Sequence, residues 1–143
     1  FGQGPLEDKL RKDVLNRDLA SHVKFLGFRA DLPDLMPELD LLVHPARQEG
    51  LGVAVMEAMS SGVPVITSTA GGMTDLLEHE VHGLTFESGD RSGLLNAMVR
   101  MLSDAGLRMR FKTSGRKRVR DQFSVKQMTH RYIEVYNQVL RSS

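Results

Sequence analysis

The sequence predicts an α/β domain with a doubly wound parallel sheet, and three observations point there. Short apolar runs at 23–27, 40–44, 63–67 and 83–86 alternate with segments of helical periodicity. Gly or Pro punctuates nearly every transition between them. The residues richest in chemistry, at 44–49 and 68–72, directly follow two of these runs. In such sheets ligands bind outside the carboxyl ends of the strands.

The elements follow in order. Pro5 suits a first helical turn, and Leu6, Leu10, Val14 and Leu15 recur at helical spacing, so 5–18 reads as an amphipathic helix. Residues 23–27 read as a short strand. Asp31, Leu32, Leu35 and Met36 indicate a helix of one or two turns interrupted at Pro37. Residues 40–44 read as a buried strand stopped by Pro45. Residues 52–60 are helical, and Gly62 ends that helix. The strand at 63–67 carries Pro64 near its start, where a missing N–H costs least. A loop at 69–72 leads to a short helix at 73–78, and 83–86 forms the last strand. Asp90, Asp104 and Ser124 then open three helices. Their inward stripes are Leu94, Leu95, Met98 and Leu102; then Leu107, Phe111 and Val119; then Val125, Met128, Tyr132, Val135 and Val139.

A chain of 143 residues, 41% apolar and 26% charged, supports one domain with a real core. It has no Cys, which removes disulfides and Cys-based metal sites and is compatible with a reducing cytosol. No stretch approaches the ~18 apolar residues of a membrane span. The chain opens at Phe1, without Met and already in a turn, so a fragment of a longer protein is expected. The net charge of +1 hides an asymmetry: residues 1–103 hold 9 Lys/Arg against 15 Asp/Glu, whereas 104–143 hold 10 against 3. Arg108, Arg110, Lys112, Arg116, Lys117, Arg118 and Arg120 form a basic cluster. It suits either a solvated helix face or contact with phosphate or an anionic membrane surface.

The chemistry concentrates between His44 and Gly72. Gly50 and Gly52 flank Leu51 just before a helix, letting the backbone turn sharply and a ligand approach its amides. The first helical N–H groups lack internal partners and the helix dipole adds positive charge, so a phosphate is the natural occupant. Glu57 lies roughly 7–8 Å along the helix axis, at 1.5 Å per residue, where its carboxylate can accept from a pair of sugar hydroxyls. Glu49, on the other side of the turn, can hold a second sugar or support charge developing on it. Gly71-Gly72 makes another amide-rich turn at the same edge. His44 and Arg47 are placed to meet a sugar or a phosphate, or else to serve as a strand-end His and a solvated loop Arg. His79 and His82, three apart, have no partners patterned for a metal.

Pro45-Ala-Arg-Gln-Glu-Gly-Leu-Gly52, Glu57-Ala-Met-Ser-Ser-Gly-Val-Pro-Val-Ile66, Gly71-Gly72 and His82-Gly-Leu84 resemble the donor-binding half of group 1 (family 4) retaining glycosyltransferases, enzymes of the two-domain GT-B fold. Gly2-Gln-Gly-Pro5, Val23-Lys-Phe-Leu-Gly-Phe28 and Phe123-Ser124 extend the resemblance over nearly the whole chain. It implies a Rossmann-like C-terminal domain lacking its first strands, with a helical C-terminus. A sheet of order 3-2-1-4-5-6 would keep strand three and strands four to six. The implied reaction moves a hexose from a nucleoside-diphosphate sugar with retention. The Glu49 position contacts the donor sugar and is the candidate catalytic carboxylate, and the Glu57 position binds the ribose. The amides of Gly50, Leu51, Gly52 and Val53 meet the diphosphate and sugar, and the loop bearing Phe28 lies near the base. No metal or other cofactor is implied. The expected partners are the nucleotide sugar and an N-terminal acceptor domain outside this chain. The expected location is cytoplasmic, with peripheral contact at the inner membrane face left open.

Departures from the family pattern are Ala46 for Ser, Leu51 for Phe and Asp75 for Glu. The family's Arg and Lys that clamp the diphosphate would lie upstream of Phe1. Two rivals remain: a nucleotide-sugar epimerase of the same fold, and a non-catalytic module using the basic helix 107–120 on anionic lipid or nucleic acid. The second lacks interleaved aromatics and any nucleic-acid fold signature, so nucleic acid is not an expected partner.

Overall fold

Three of the four predicted β-runs pair with one another. In the computed structural model, which describes residues 1–142, β1 (Leu42–His44), β2 (Val65–Ser68) and β3 (Leu84–Phe86) form a parallel sheet in chain order. Leu42 stands beside Val65 and His44 beside Thr67, while Ile66 faces Leu84 and Ser68 faces Phe86. His44, Ser68 and Phe86 therefore end at one edge of the sheet, and the loops that follow them emerge together. This neighbour order agrees with a four-five-six run.

The chain divides into two compact units, Phe1–Leu35 and Met36–Ser143. In the first, α1 (Glu7–Asn16) forms where the periodicity places it, braced by Arg11 on Glu7 one turn earlier at 2.6 Å. The Arg11 guanidinium also lies 4.6 Å from the centre of the Phe25 ring. The apolar positions Leu6, Leu10 and Leu15 remain exposed. Residues 23–27 are irregular rather than a strand. A strand exists through its ladder to a neighbour, and the described contact of this run with Gly2 is a single 2.7 Å bond from the Gly2 amide to the Gly27 carbonyl. The unit ends in the one-turn helix α2 (Leu32–Leu35).

The second unit carries the core. A 3₁₀ turn at Met36–Glu38 takes up Pro37 and leads into β1, which is half-buried rather than fully enclosed. Helix α3 (Val53–Ser61) buries Val55, Ala58 and Met59 and ends at Gly62, whose amide returns to the Ala58 and Met59 carbonyls. All four residues of β2 are buried. After the short α4 (Met73–Leu76) and β3 come α5 (Arg91–Ser103) and α6 (Ala105–Gln122). The Asp90 carboxylate caps the Ser92 amide at 3.0 Å, and that of Asp104 caps Leu107 at 2.8 Å. Ile66, Leu84 and Phe86 of the sheet pack with Ala97 and Met101 of α5 and with Leu107 and Phe111 of α6.

Two helix faces differ from the expected stripes. On α5, Ala97 and Met101 are the buried pair, Leu94 and Met98 flank them, and Leu95 and Leu102 point to solvent. Positions 94, 97, 98 and 101 share one face at helical spacing, and Ile66, Leu84 and Phe86 pack on that face. On α7 (Val125–Ser142), Val125, Met128, Tyr132, Val135 and Val139 form the predicted stripe, yet all are at least half exposed. The Ser124 hydroxyl caps the Gln127 amide at 3.4 Å.

Helix α6 acts as a hub. Arg108 donates to the Met101 and Leu102 carbonyls near the end of α5, and Arg116 to the Ser60 and Ser61 carbonyls at the end of α3. Arg118 donates to the Asp75 and Leu76 carbonyls at the end of α4. Three guanidinium groups thus meet carbonyls that have run out of helical partners and carry the negative end of a helix dipole. Much of the basic cluster is spent on holding the domain together.

Candidate functional site

The site is assembled at the carboxyl edge of the sheet by two loops, 45–52 after β1 and 69–72 after β2. Backbone contact holds them together. The Gly72 amide reaches the Glu49 carbonyl at 3.4 Å. A Cβ at Gly71 would stand 2.0 Å from the Glu49 carbonyl oxygen, and one at Gly72 would stand 2.0 Å from that of Gly50. Only a pair without side chains lets the loops approach so closely. The structural role of Gly71 and Gly72 is therefore close packing, and the Gly72 amide is spent inside the protein.

Two hydroxyls fix the first loop from below. Ser68 donates to the Ala46 carbonyl, and Ser88 donates to the same oxygen at 3.4 Å. Neither serine was singled out from the sequence. The available signal was the place of Ser68 at the end of an apolar run; nothing local marks Ser88, which is 42 residues from Ala46. Gly52 enters α3 with φ of +68° and rests on the Met73 side chain, whose Cε would be 2.1 Å from an added Cβ. Among the described residues, the amides of Leu51, Val53 and Ala54 have no acceptor within the protein. These are the open donors of a nine-residue helix.

The two glutamates occupy different environments. The Glu49 side chain is 28% exposed, with Oε2 2.9 Å from His44 Nε2 and Oε1 accepting from the Gly50 amide at 3.0 Å. The hydrogen bond with His44 holds its carboxyl below the usual range; partial burial opposes this, and the Gly50 and Gly52 amides reinforce it. Glu57, the fifth residue of α3, is exposed and makes no described hydrogen bond or ion pair. Its carboxylate is available to a ligand.

The remaining candidates are distributed as follows. Arg47 is exposed on the first loop, and the side chains of Leu51 and Val53 are half exposed beside the open amides. Phe28 belongs to the first compact unit, where its ring is 73% exposed next to the Arg29–Asp31 ion pair. His79 accepts the Thr85 amide at Nδ1 at 2.9 Å, and His82 accepts the Glu78 amide at Nδ1 at 3.3 Å, so each braces a turn. No cluster of three or more His, Asp or Glu able to hold a metal occurs among the described residues. No described helix is long and apolar enough to cross a membrane.

Comparison with known proteins places this geometry. The family described as glycosyl transferases group 1 matches residues 1–118. N-acetyl-alpha-D-glucosaminyl L-malate synthase of Bacillus anthracis is 29% identical over 140 residues, which is 98% of this chain and 37% of that protein. A UDP-Gal:alpha-D-GlcNAc-diphosphoundecaprenol alpha-1,3-galactosyltransferase of Escherichia coli is 29% identical over 136 residues, covering 94% of this chain and 35% of the enzyme. Among solved structures, Anabaena HepE in complex with UDP superposes with a TM-score of 0.88 at 29% identity, over 96% of this chain and 39% of that one. The C-terminal domain of a group 1 glycosyl transferase from Francisella tularensis superposes with a TM-score of 0.77 at 25% identity, over 84% of this chain and 63% of that one. The chain thus spans well under half the length of the curated relatives named here. Its parallel sheet, flanking helices and long last helix are those of a Rossmann-like GT-B C-terminal domain, and the chain belongs to the glycosyl transferases group 1 family.

Proposed function

We propose that this chain is the donor-binding half of a retaining glycosyltransferase that moves a hexose from a nucleoside-diphosphate sugar to an acceptor. The observation that carries the reading is Glu57. It is an exposed, unpaired carboxylate five residues into a helix whose N-terminal amides stand open at the carboxyl edge of a parallel sheet. Such a helix end suits a diphosphate, and a carboxylate one phosphate length away suits a ribose diol. Likeness to HepE, solved with UDP and with UDP-glucose, supports the same chemistry.

In this reading Glu57 accepts from the ribose hydroxyls, and the amides of Leu51 and Val53 meet the diphosphate, with Arg47 adding charge. Glu49 orients the donor sugar. The bond between the anomeric carbon and the phosphate oxygen breaks, and its electron pair stays with the diphosphate, stabilised by preorganised amides. The acceptor oxygen bonds the anomeric carbon on the same face, and its proton leaves with the diphosphate. No metal is needed, since amides and side-chain cations balance the leaving group. The acceptor is held by sequence outside these residues, which span 35–37% of the two curated relatives above. The protein works in the cytoplasm.

The test is calorimetry with UDP on a full-length protein carrying this chain. Glu57→Ala should weaken UDP binding about 10-fold or more, the loss expected for hydrogen bonds to a charged group. Unchanged affinity would sink the ribose assignment.

A further inference from the structure

The structure assigns to His44 a task other than holding the donor: we propose that it is a positioning residue that sets the direction of the Glu49 carboxylate. This deepens, and rests on, the reading of Glu49 as the residue that orients the donor sugar. His44 is the last residue of β1, and its backbone is locked in register beside Thr67 of the fully buried β2. Its Nε2 is 2.9 Å from Glu49 Oε2, and the two side chains are 26% and 28% exposed, so the bond is partly shielded from water.

Glu49 would otherwise be poorly fixed. Its backbone is held by Gly72 at 3.4 Å, and its loop is held by the hydroxyls of Ser68 and Ser88 on Ala46. None of these touches the carboxylate. The other groups described at the carboxylate are the Gly50 and Gly52 amides, which travel with the loop itself. His44 supplies the one described side-chain contact from the sheet, the rigid part of the domain. An imidazole on a strand end aiming a carboxylate on the next loop is a device for fixing angle, and angle decides whether a carboxylate can meet a sugar. The same bond occupies the His44 nitrogen that would otherwise be offered to a donor ligand.

The experiment follows the Glu49 carboxyl by carbon-detected NMR titration in the wild type, His44→Ala and His44→Gln, in the full chain, with UDP titrated into each. His44→Ala should move the Glu49 midpoint up towards the ordinary glutamate range. His44→Gln, whose amide can donate to the same oxygen, should restore part of the lowering. UDP affinity should stay within about twofold in both variants, because the carboxylate faces the donor hexose, which UDP lacks. A Glu49 midpoint unmoved by His44→Ala, in a variant whose amide spectrum shows an intact fold, overturns the proposal. So does a midpoint that His44→Gln fails to restore, or a loss of UDP affinity that makes His44 a ligand contact. Failure of the wild type to bind UDP would count against the donor-binding function, while the titration would still decide the role of His44.

Discussion

A methyl group on Gly72 would stand 2.0 Å from the carbonyl oxygen of Gly50. The obstacle is backbone, which cannot turn aside as a flexible side chain can. Gly72→Ala is therefore expected to push the two loops apart and destabilise the domain by about 1–3 kcal/mol, as overpacking does. Urea unfolding reads the stability. A variant as stable as the wild type would mean that the loops are not packed as described.

The same substitution should have the opposite sign at Gly115, in the middle of α6. A Cβ there would meet the His82 carbonyl oxygen at 3.4 Å and Met59 at 3.6 Å, which are ordinary contacts. Removing a helical glycine lowers the entropy lost on folding, so Gly115→Ala should stabilise by roughly 0.5–1 kcal/mol. A fall in the urea midpoint would show that α3 and α6 pack more tightly than these distances imply.

The basic face of α6 should behave as structure. Arg116→Met and Arg118→Met should each cost about 1 kcal/mol, since each leaves the end of another helix without its donor. Lys112→Met, whose amine makes no described bond, should fall within about 0.5 kcal/mol of the wild type. Equal effects at the three positions would argue that the cluster acts as a general positive patch.

Acid should weaken the turn between α4 and β3 through His82. Burial and the Arg118 cation hold this imidazole below its ordinary pKa of 6.5, with Glu78 opposing. The neutral ring also accepts the Glu78 amide at Nδ1. A lowered folded-state pKa means that the unfolded chain binds the proton more readily, so stability rises with pH across this window. The contribution is fully present above pH 6.5 and is lost as pH falls through the lower folded-state value. The wild-type urea midpoint should therefore drop between pH 7.5 and 5.5 more steeply than that of His82→Gln. Parallel slopes would contradict this assignment.

Much of the fold was legible because its signals are local. Asp90, Asp104 and Ser124 announced helix starts by the need of first-turn amides for an acceptor, and each caps its helix as read. The alternation of apolar runs with helical segments carried the parallel sheet. Residues 23–27 misled because strand propensity is realised only beside a partner strand. The pairing of Glu49 with the loop amides was half legible: spacing placed a carboxylate at a helix end, but its bond to His44 depended on how the loop turns back.

The sequence by itself determined the helix caps, the order of strands and helices, and the Gly-bracketed turn with Glu49 and Glu57 on either side of it. These follow from backbone geometry and from the 3.6- and 2-residue periods. Tertiary structure alone decided what the glycines and arginines do. Gly71 and Gly72 became a contact surface for Glu49 and Gly50, and Arg108, Arg116 and Arg118 became caps on three other helices. It also decided that His44 meets Glu49 and that Glu57 stays unpaired. The physical reason is that hydrogen-bond partners are chosen by distance in space, which residue spacing constrains only within one turn or one strand.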